Sequence, residues 1–342
     1  MNLPKYALRR IIISIPVLLG VLALTFTLMK LACPNDVIVY QRLPLPFTQE
    51  DFDREYSLLG FDKPIIIQFL VFVRLMFTGD WGTSMIVVMD SSVKDIIFQR
   101  LPRTLELAII CYIISTYLGL KLGVITGSNR GDKSDKVTRI IAYLGMSVPP
   151  FVLAIFFSQL AAFEDIRLFP FFGYKTPGIG NPTAITNGRI IDCILTGNWL
   201  ILGDYLYHLI VPISAMIIFQ FSIIFRQIRS NMINVLQYDY IRTAYAKGCK
   251  EKTVNNKHAF KNALGPSISV IAMSFPKIFA GFIALEVAFD LPGIGQLFFL
   301  AFQSLDYALI IPIIFICAII VLIFNFLADI ICAIIDPRIR LT

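Results

Sequence analysis

Residues 238–266 read YDYIRTAYAKGCKEKTVNNKHAFKNALGP. The stretch is polar and basic, and it separates two long apolar runs. Tyr238–Lys247 has helix-forming composition, Gly248 interrupts it, and Thr253–Leu264 resumes a helical pattern. Gly265-Pro266 then sets the start of the following apolar run. A helix–glycine–helix of this kind carries the small side chains Ala244 and Ala246 on one side and Arg242, Lys247 and Lys250 on the other. That surface suits docking into a groove on a soluble partner. The plainer alternative is a solvated basic loop that anchors topology or touches anionic lipid.

The rest of the chain defines the setting of this loop. Of 342 residues, 57% are hydrophobic and 15% charged, and the mean hydropathy is +0.74. A soluble domain carries about 25% charged residues, and so apolar a fold could not cover its surface in water. The composition therefore predicts an all-α polytopic membrane protein. The net charge of +7 fits topology rather than nucleic acid, because Lys and Arg are retained on the cytoplasmic side. The six cysteines form no C-x-x-C pair and do not cluster with histidine, which argues against a metal or redox centre. Cys33 and Cys193 both fall in outer segments, where a disulfide between them is one option.

Lys5, Arg9 and Arg10 precede an uncharged run, Ile11–Met29, long enough to span a bilayer core. A signal peptide is the rival reading, but its apolar part would be shorter and no small-x-small cleavage site follows. Further spans are expected over Thr104–Gly127, Ile140–Ala162, Tyr207–Phe225, Ser267–Ala288 and Ala308–Ile335, six in all. Val148-Pro149-Pro150 should kink or interrupt the third. Ile65–Phe77 is apolar but too short to cross, so it lies at the membrane surface or packs on the spans. Trp81, in the tight turn Gly79–Gly82, suits the membrane interface. The chain thus divides into 1–30 with the first span, a long outer segment 31–100, and 101–342 with spans two to six and the loop 229–263. The inner segments 1–10, 128–139, 226–261 and 336–342 hold 17 Lys and Arg. The outer segments hold nine over about twice the length. Both termini and the 238–266 loop are therefore expected in the cytosol.

The loop resembles the coupling loop of binding-protein-dependent ABC transporter permeases, in the variant of the dipeptide, oligopeptide and nickel branch. The matching residues are Asp239-Tyr240-Ile241-Arg242-Thr243-Ala244-Tyr245-Ala246-Lys247-Gly248 and His258-Ala259-Phe260-Lys261-Asn262-Ala263-Leu264-Gly265-Pro266. The likeness runs almost end to end. It includes Leu8-Arg9-Arg10, Gly60-Phe61-Asp62-Lys63-Pro64, Arg100-Leu101-Pro102-Arg103-Thr104, Ser147-Val148-Pro149-Pro150-Phe151, Leu291-Pro292-Gly293-Ile294-Gly295, Asp306-Tyr307 and Asp336-Pro337-Arg338. The amino-terminal signature is similar to that of the first of two paired permease subunits. The resemblance implies a pore shared with a second permease subunit, two ATP-binding subunits that hold ATP and magnesium, and an extracellular or periplasmic substrate-binding protein. It implies a place in the cell membrane of a bacterium or archaeon, with no cofactor or metal on this chain and no catalytic residue. It further implies that Asp239, Arg242, Thr243, Ala244, Ala246, Lys247, Gly248, His258, Asn262 and Pro266 form the coupling contact. The cargo is expected to be a dipeptide or oligopeptide; a nickel chelate or a sugar remains open.

An external source of energy is consistent with the chain itself. Its nearest likeness to a phosphate-binding loop, Gly127–Ser134, has Asp132 where the lysine belongs and lies between two spans. An ion-coupled secondary transporter would show repeat halves, which are not evident, and would leave the 238–266 loop without a role. An intramembrane enzyme would need a catalytic motif that the spans lack.

Two polar residues in the fifth span stand out. Lys277 follows Pro276 near mid-membrane, where the resembled family has uncharged residues. A charge there costs at least about 2.5–3.5 kcal/mol unless it meets water or an acid. Lining the translocation path and a purely structural pairing are both open for Lys277. Glu286 is the second candidate for the path. It and Glu106 are expected near the outer ends of their spans, within reach of water. Asn325 and Asp329 in the last span are expected to bond neighbouring helices.

Overall fold

The computed structural model describes residues 3–44, 46–84, 86–88, 91–162, 169–170 and 173–335. The tail motif Asp336-Pro337-Arg338 lies outside the described residues. In order, α1 (Leu3–Ala32) is followed by three short helices, α2 (Asn35–Arg42), α3 (Gln49–Leu58) and α4 (Ile65–Thr78). A two-residue antiparallel pair, β1 (Thr83–Ser84) with β2 (Ser91–Ser92), leads into α5 (Val93–Ser128). Then come α6 (Lys133–Ser147), α7 (Pro150–Ala162), α8 (Arg189–Thr196) and α9 (Trp199–Val235). The loop read above contains α10 (Asp239–Ala246), α11 (Glu251–Thr253) and a π-helical turn, Val254–Ala259. The chain ends with α12 (Phe260–Ala272), α13 (Phe275–Phe289), α14 (Ile294–Gln303) and α15 (Tyr307–Ile335).

α1, α5, α9 and α15 are each long and apolar enough to cross a membrane. Two further spans exist only if a bent pair counts as one: α6 with α7, bent by 111°, and α11–α12 with α13, bent by 44°. The first bend is far sharper than a proline kink. Val148 is extended (φ −111°, ψ 130°), as a residue before proline tends to be, and two successive prolines leave two amides missing. The second bend corrects an expectation. Gly265-Pro266 does not set a helix start, since α12 runs straight through it. Asn262, Gly265 and Pro266 are exposed. The break falls instead at Met273-Ser274, ahead of the buried Pro276. There the Ile271 carbonyl accepts from the Ser274 hydroxyl (2.6 Å) and, from α5, the Tyr112 hydroxyl (3.0 Å).

α9 is the centre of the bundle, and glycines bring its neighbours close. On α5, Gly119, Gly123 and Gly127 repeat every four residues, one helical face. A Cβ on them would stand 2.8 Å from Ile224, 2.8 Å from Ile228 and 2.6 Å from Met232 of α9. Gly145 of α6 lies against Ile218 and Ser222, and Gly281 of α13 against Met216. Small residues let backbones approach in this way, and dispersion then holds helices that lipid cannot drive together.

The outer segment after α1 is anchored to the α14–α15 turn. Gln41 donates to the Leu305 carbonyl (2.8 Å) and accepts from the Tyr307 amide (2.9 Å). The Ser84 hydroxyl donates to buried Asp306 (2.6 Å). Arg42 pairs with Glu55 at 2.8 Å and donates to the Trp81 carbonyl at 3.0 Å. Trp81 itself is buried, with its indole N–H on the Met76 carbonyl. α4 packs on α1 through Phe69 and Phe72 against Phe26, leaving Ile66 and Leu70 exposed. Cys33 and Cys193 are both buried free thiols, so the structure contains no bridge between them. Asp329 does join two helices, pairing with Arg10 of α1 at 3.2 Å.

Candidate functional site

The far end of α9 carries the 238–266 stretch. α10 has two unlike faces. Ile241 and Ala244 are buried in a cluster with Ile228, Met232 and Val235 of α9, Val254 and Ala259 of the π-helical turn, and Ala263 of α12. Tyr240, Arg242, Thr243, Tyr245, Ala246 and Lys247 are exposed, as is Asp239. The sequence reading put Ala244 and Ala246 on one small-residue face. In the structure they point to opposite sides, with Ala244 packed inward and Ala246 outward beside Tyr245. Arg242 and Asp239 form a loose surface pair at 3.6 Å, with little energetic weight.

Gly248 ends α10. Its φ of 77° lies in the left-handed region, while a Cβ there would meet nothing within 4 Å. The glycine is thus needed for its backbone conformation rather than for space. The Gly248 amide bonds the Tyr245 carbonyl and the Cys249 amide bonds that of Ala244, which closes the helix end. Beyond the turn, the Asn262 side chain donates to the His258 carbonyl at 2.8 Å. His258 is half-buried and Asn262 exposed. Asn231 of α9 donates to the Ala263 carbonyl (3.2 Å) and the Ser267 hydroxyl (2.8 Å) of α12. α10 therefore rests on a platform fixed to both α9 and α12.

A second tie to α9 was missed in the sequence. Asp135, 1% exposed, receives Arg229 of α9 through two bonds of 2.7 and 3.0 Å, and the Gly131 amide at 3.0 Å. A forked guanidinium–carboxylate pair of this kind is a strong, orienting contact. Its signal in the sequence was the two acids, Asp132 and Asp135, among the four bases of segment 128–139.

At the other end of the bundle the expectation for Glu286 and Glu106 is corrected: neither reaches water. Glu286 is 0% exposed. It accepts from the Thr104 hydroxyl of α5 (2.6 Å) and the Gly295 amide of α14 (2.6 Å), while Thr104 accepts from the Ile294 amide (2.9 Å). It thus sits across the start of α14, where free amides favour an acceptor. Glu106 accepts from the Ile191 amide in the first turn of α8 (2.7 Å). Burial pushes the Cys193 thiol of α8 above its ordinary range, and that of Cys33 likewise. Lys277 is different. It is exposed on α13, and among the described residues no carboxylate stands within ion-pair distance. Lys277 and Glu286 are therefore not brought together in one site. Among the described residues no cluster of three His, Cys, Asp or Glu side chains could hold a metal ion.

Glycine-packed helices around α9 and bent helix pairs beside it, with a short helix docked at its end, describe a multi-pass membrane protein. The chain belongs to the family of binding-protein-dependent transport system inner membrane components, whose pattern matches residues 119–341. Its relatives include the oligopeptide transport system permease protein AppB of Bacillus subtilis, 33% identical over 335 residues, covering 98% of this chain and 99% of that one. The dipeptide transport system permease protein DppB of Alkalihalophilus pseudofirmus is 32% identical over 337 residues, covering 98% and 99%. DppB of Lactococcus lactis is 30% identical over 337 residues, with the same coverage.

Proposed function

We propose that this chain is one permease subunit of an ATP-driven importer of short peptides. It crosses the cell membrane of a bacterium or archaeon six times, counting each bent pair once, with both ends in the cytosol. A second permease subunit completes the pore. Two ATP-binding subunits, carrying ATP and magnesium, sit below it, and an external binding protein delivers the cargo. The peptide cargo is supported by relatives named for oligopeptide and dipeptide transport that align along nearly the whole chain.

The observation that carries the coupling role is the two-faced α10. One face is packed onto the end of α9, and the other is exposed and bears Tyr245, Ala246, Arg242 and Lys247. A helix fixed to a 37-residue rod and open on its outer side can pass a push from a soluble partner into the bundle. ATP acts on transport through the difference in binding free energy between two states of this assembly. Asp239, Thr243 and Gly248 shape the contact, and His258, Asn262 and Pro266 support it from the platform side.

The test is Ala246→Asp, which adds a charge on the outer face without touching the packed one. The variant should insert and accumulate normally, yet lose peptide uptake and release the ATP-binding subunits on purification. Full uptake with those subunits still bound would overturn the assignment.

A further inference from the structure

Lys277 and the buried Glu286 are the two charged side chains of α13, and only Lys277 is exposed. It is the third residue of α13, just past the 44° break. Its neighbours along the exposed side of α13 are Ala280 and Ala284, with Met273 before the break. Twelve residues separate it from Phe289 at the outer end, about 18 Å of helix. A lysine stem is far too short to snorkel that distance to the headgroups. Helix faces that meet lipid in this chain are bulky instead: Ile12, Leu24 and Leu28 on α1 are each more than half exposed. An ammonium at this depth must meet water or an anion, and no carboxylate of the described chain is within ion-pair distance.

The position is held rather than incidental. Pro276 cannot donate to the Ala272 carbonyl, and the break it forces is braced by Tyr112 and Ser274 on the Ile271 carbonyl. These contacts fix the first turn of α13 and with it the side from which Lys277 projects.

We propose that Lys277 is a specificity-determining residue of the translocation path, whose ammonium receives the carboxylate at the end of a crossing peptide. This rests on the peptide reading above. The path then carries one fixed positive charge, which favours substrates with a free carboxyl end and holds them long enough to be oriented but not trapped.

The experiment compares uptake of trialanine and of its carboxamide by the full transporter in proteoliposomes, with the same binding protein throughout. The variants are Lys277→Met and Lys277→Arg. Because delivery is common to all, the acid-to-amide rate ratio of each variant relative to wild type reports on the permease. In Lys277→Met the ratio should fall about tenfold, the size of one charge-assisted hydrogen bond, and Lys277→Arg should restore most of it. An unchanged ratio in Lys277→Met, whether both rates persist or both fall together, overturns the proposal. If both rates fall and the second permease subunit is lost on purification, the lysine is an intersubunit ion pair instead. A wild-type protein that moves neither peptide overturns the peptide reading as well.

Discussion

At the scale of single residues, glycine and glutamate do most to hold the bundle. Gly123 lies so close to Ile228 that any side chain collides. Gly123→Val should lower stability by about 1–3 kcal/mol through overpacking, while Gly20→Ala, where a Cβ meets nothing within 4 Å, should be silent. Thermal unfolding in detergent separates the two. Glu286→Ala leaves the Thr104 hydroxyl and the Gly295 amide without their acceptor, at about 1–3 kcal/mol for each orphaned group. Glu286→Gln keeps an acceptor oxygen and should recover part of that loss. Cys33 and Cys193 are buried, with thiols pushed up by burial. Both should resist maleimide labelling of the folded protein, whereas half-buried Cys249 should react. Labelling of Cys193 at the rate of Cys249 would contradict the packing of α8. Both glutamates were visible as polar residues near span ends. Their partners were not, because Thr104 and Gly295, which hold Glu286, and Ile191, which holds Glu106, each lie on another helix and no periodicity links them.

At the scale of elements, the short helix α10 was legible and its orientation was not. Composition and the glycine at 248 define α10 locally, and the structure ends it at Ala246. Which side turns inward is decided by Val254, Ala259 and the end of α9, all set by tertiary packing. Ala244→Asp and Ala246→Asp therefore separate two effects. The first buries a carboxylate in an apolar cluster and should reduce the amount of folded protein. The second should leave folding intact and act only on the partner contact. Equal expression of both would mean that α10 is not docked as described. Prolines show the same limit. Pro266 and Pro276 look alike in an apolar run, yet only the buried one sits at a break, and Tyr112, which braces that break through the Ile271 carbonyl, lies 159 residues away in the chain. Pro276→Ala should straighten the 44° bend, which spin labels at positions 262 and 284 would read as a longer distance.

At the scale of the whole molecule, hydropathy found the apolar helices, because their length and composition follow from the bilayer itself. It could not reveal that α9 is the common contact, or that Asp135 and Arg229 bind the α5–α6 connection to it. Asp135→Asn should weaken that tie, and the exchange Asp135→Arg with Arg229→Asp should recover less than half of the loss, since the Gly131 amide then has no acceptor. Protease access to the 128–139 segment is the readout.

The glycine contacts also bear on how the bundle can move. Side chains of α9 seat in notches on α5 that recur every four residues, about 6 Å apart. Sliding one helix along the other by less than a notch forces an isoleucine onto backbone with nowhere to go. The notches work as detents on a rod about 55 Å long. In the proposed assembly, a push at the α10 end would tilt α9 rather than slide it along α5.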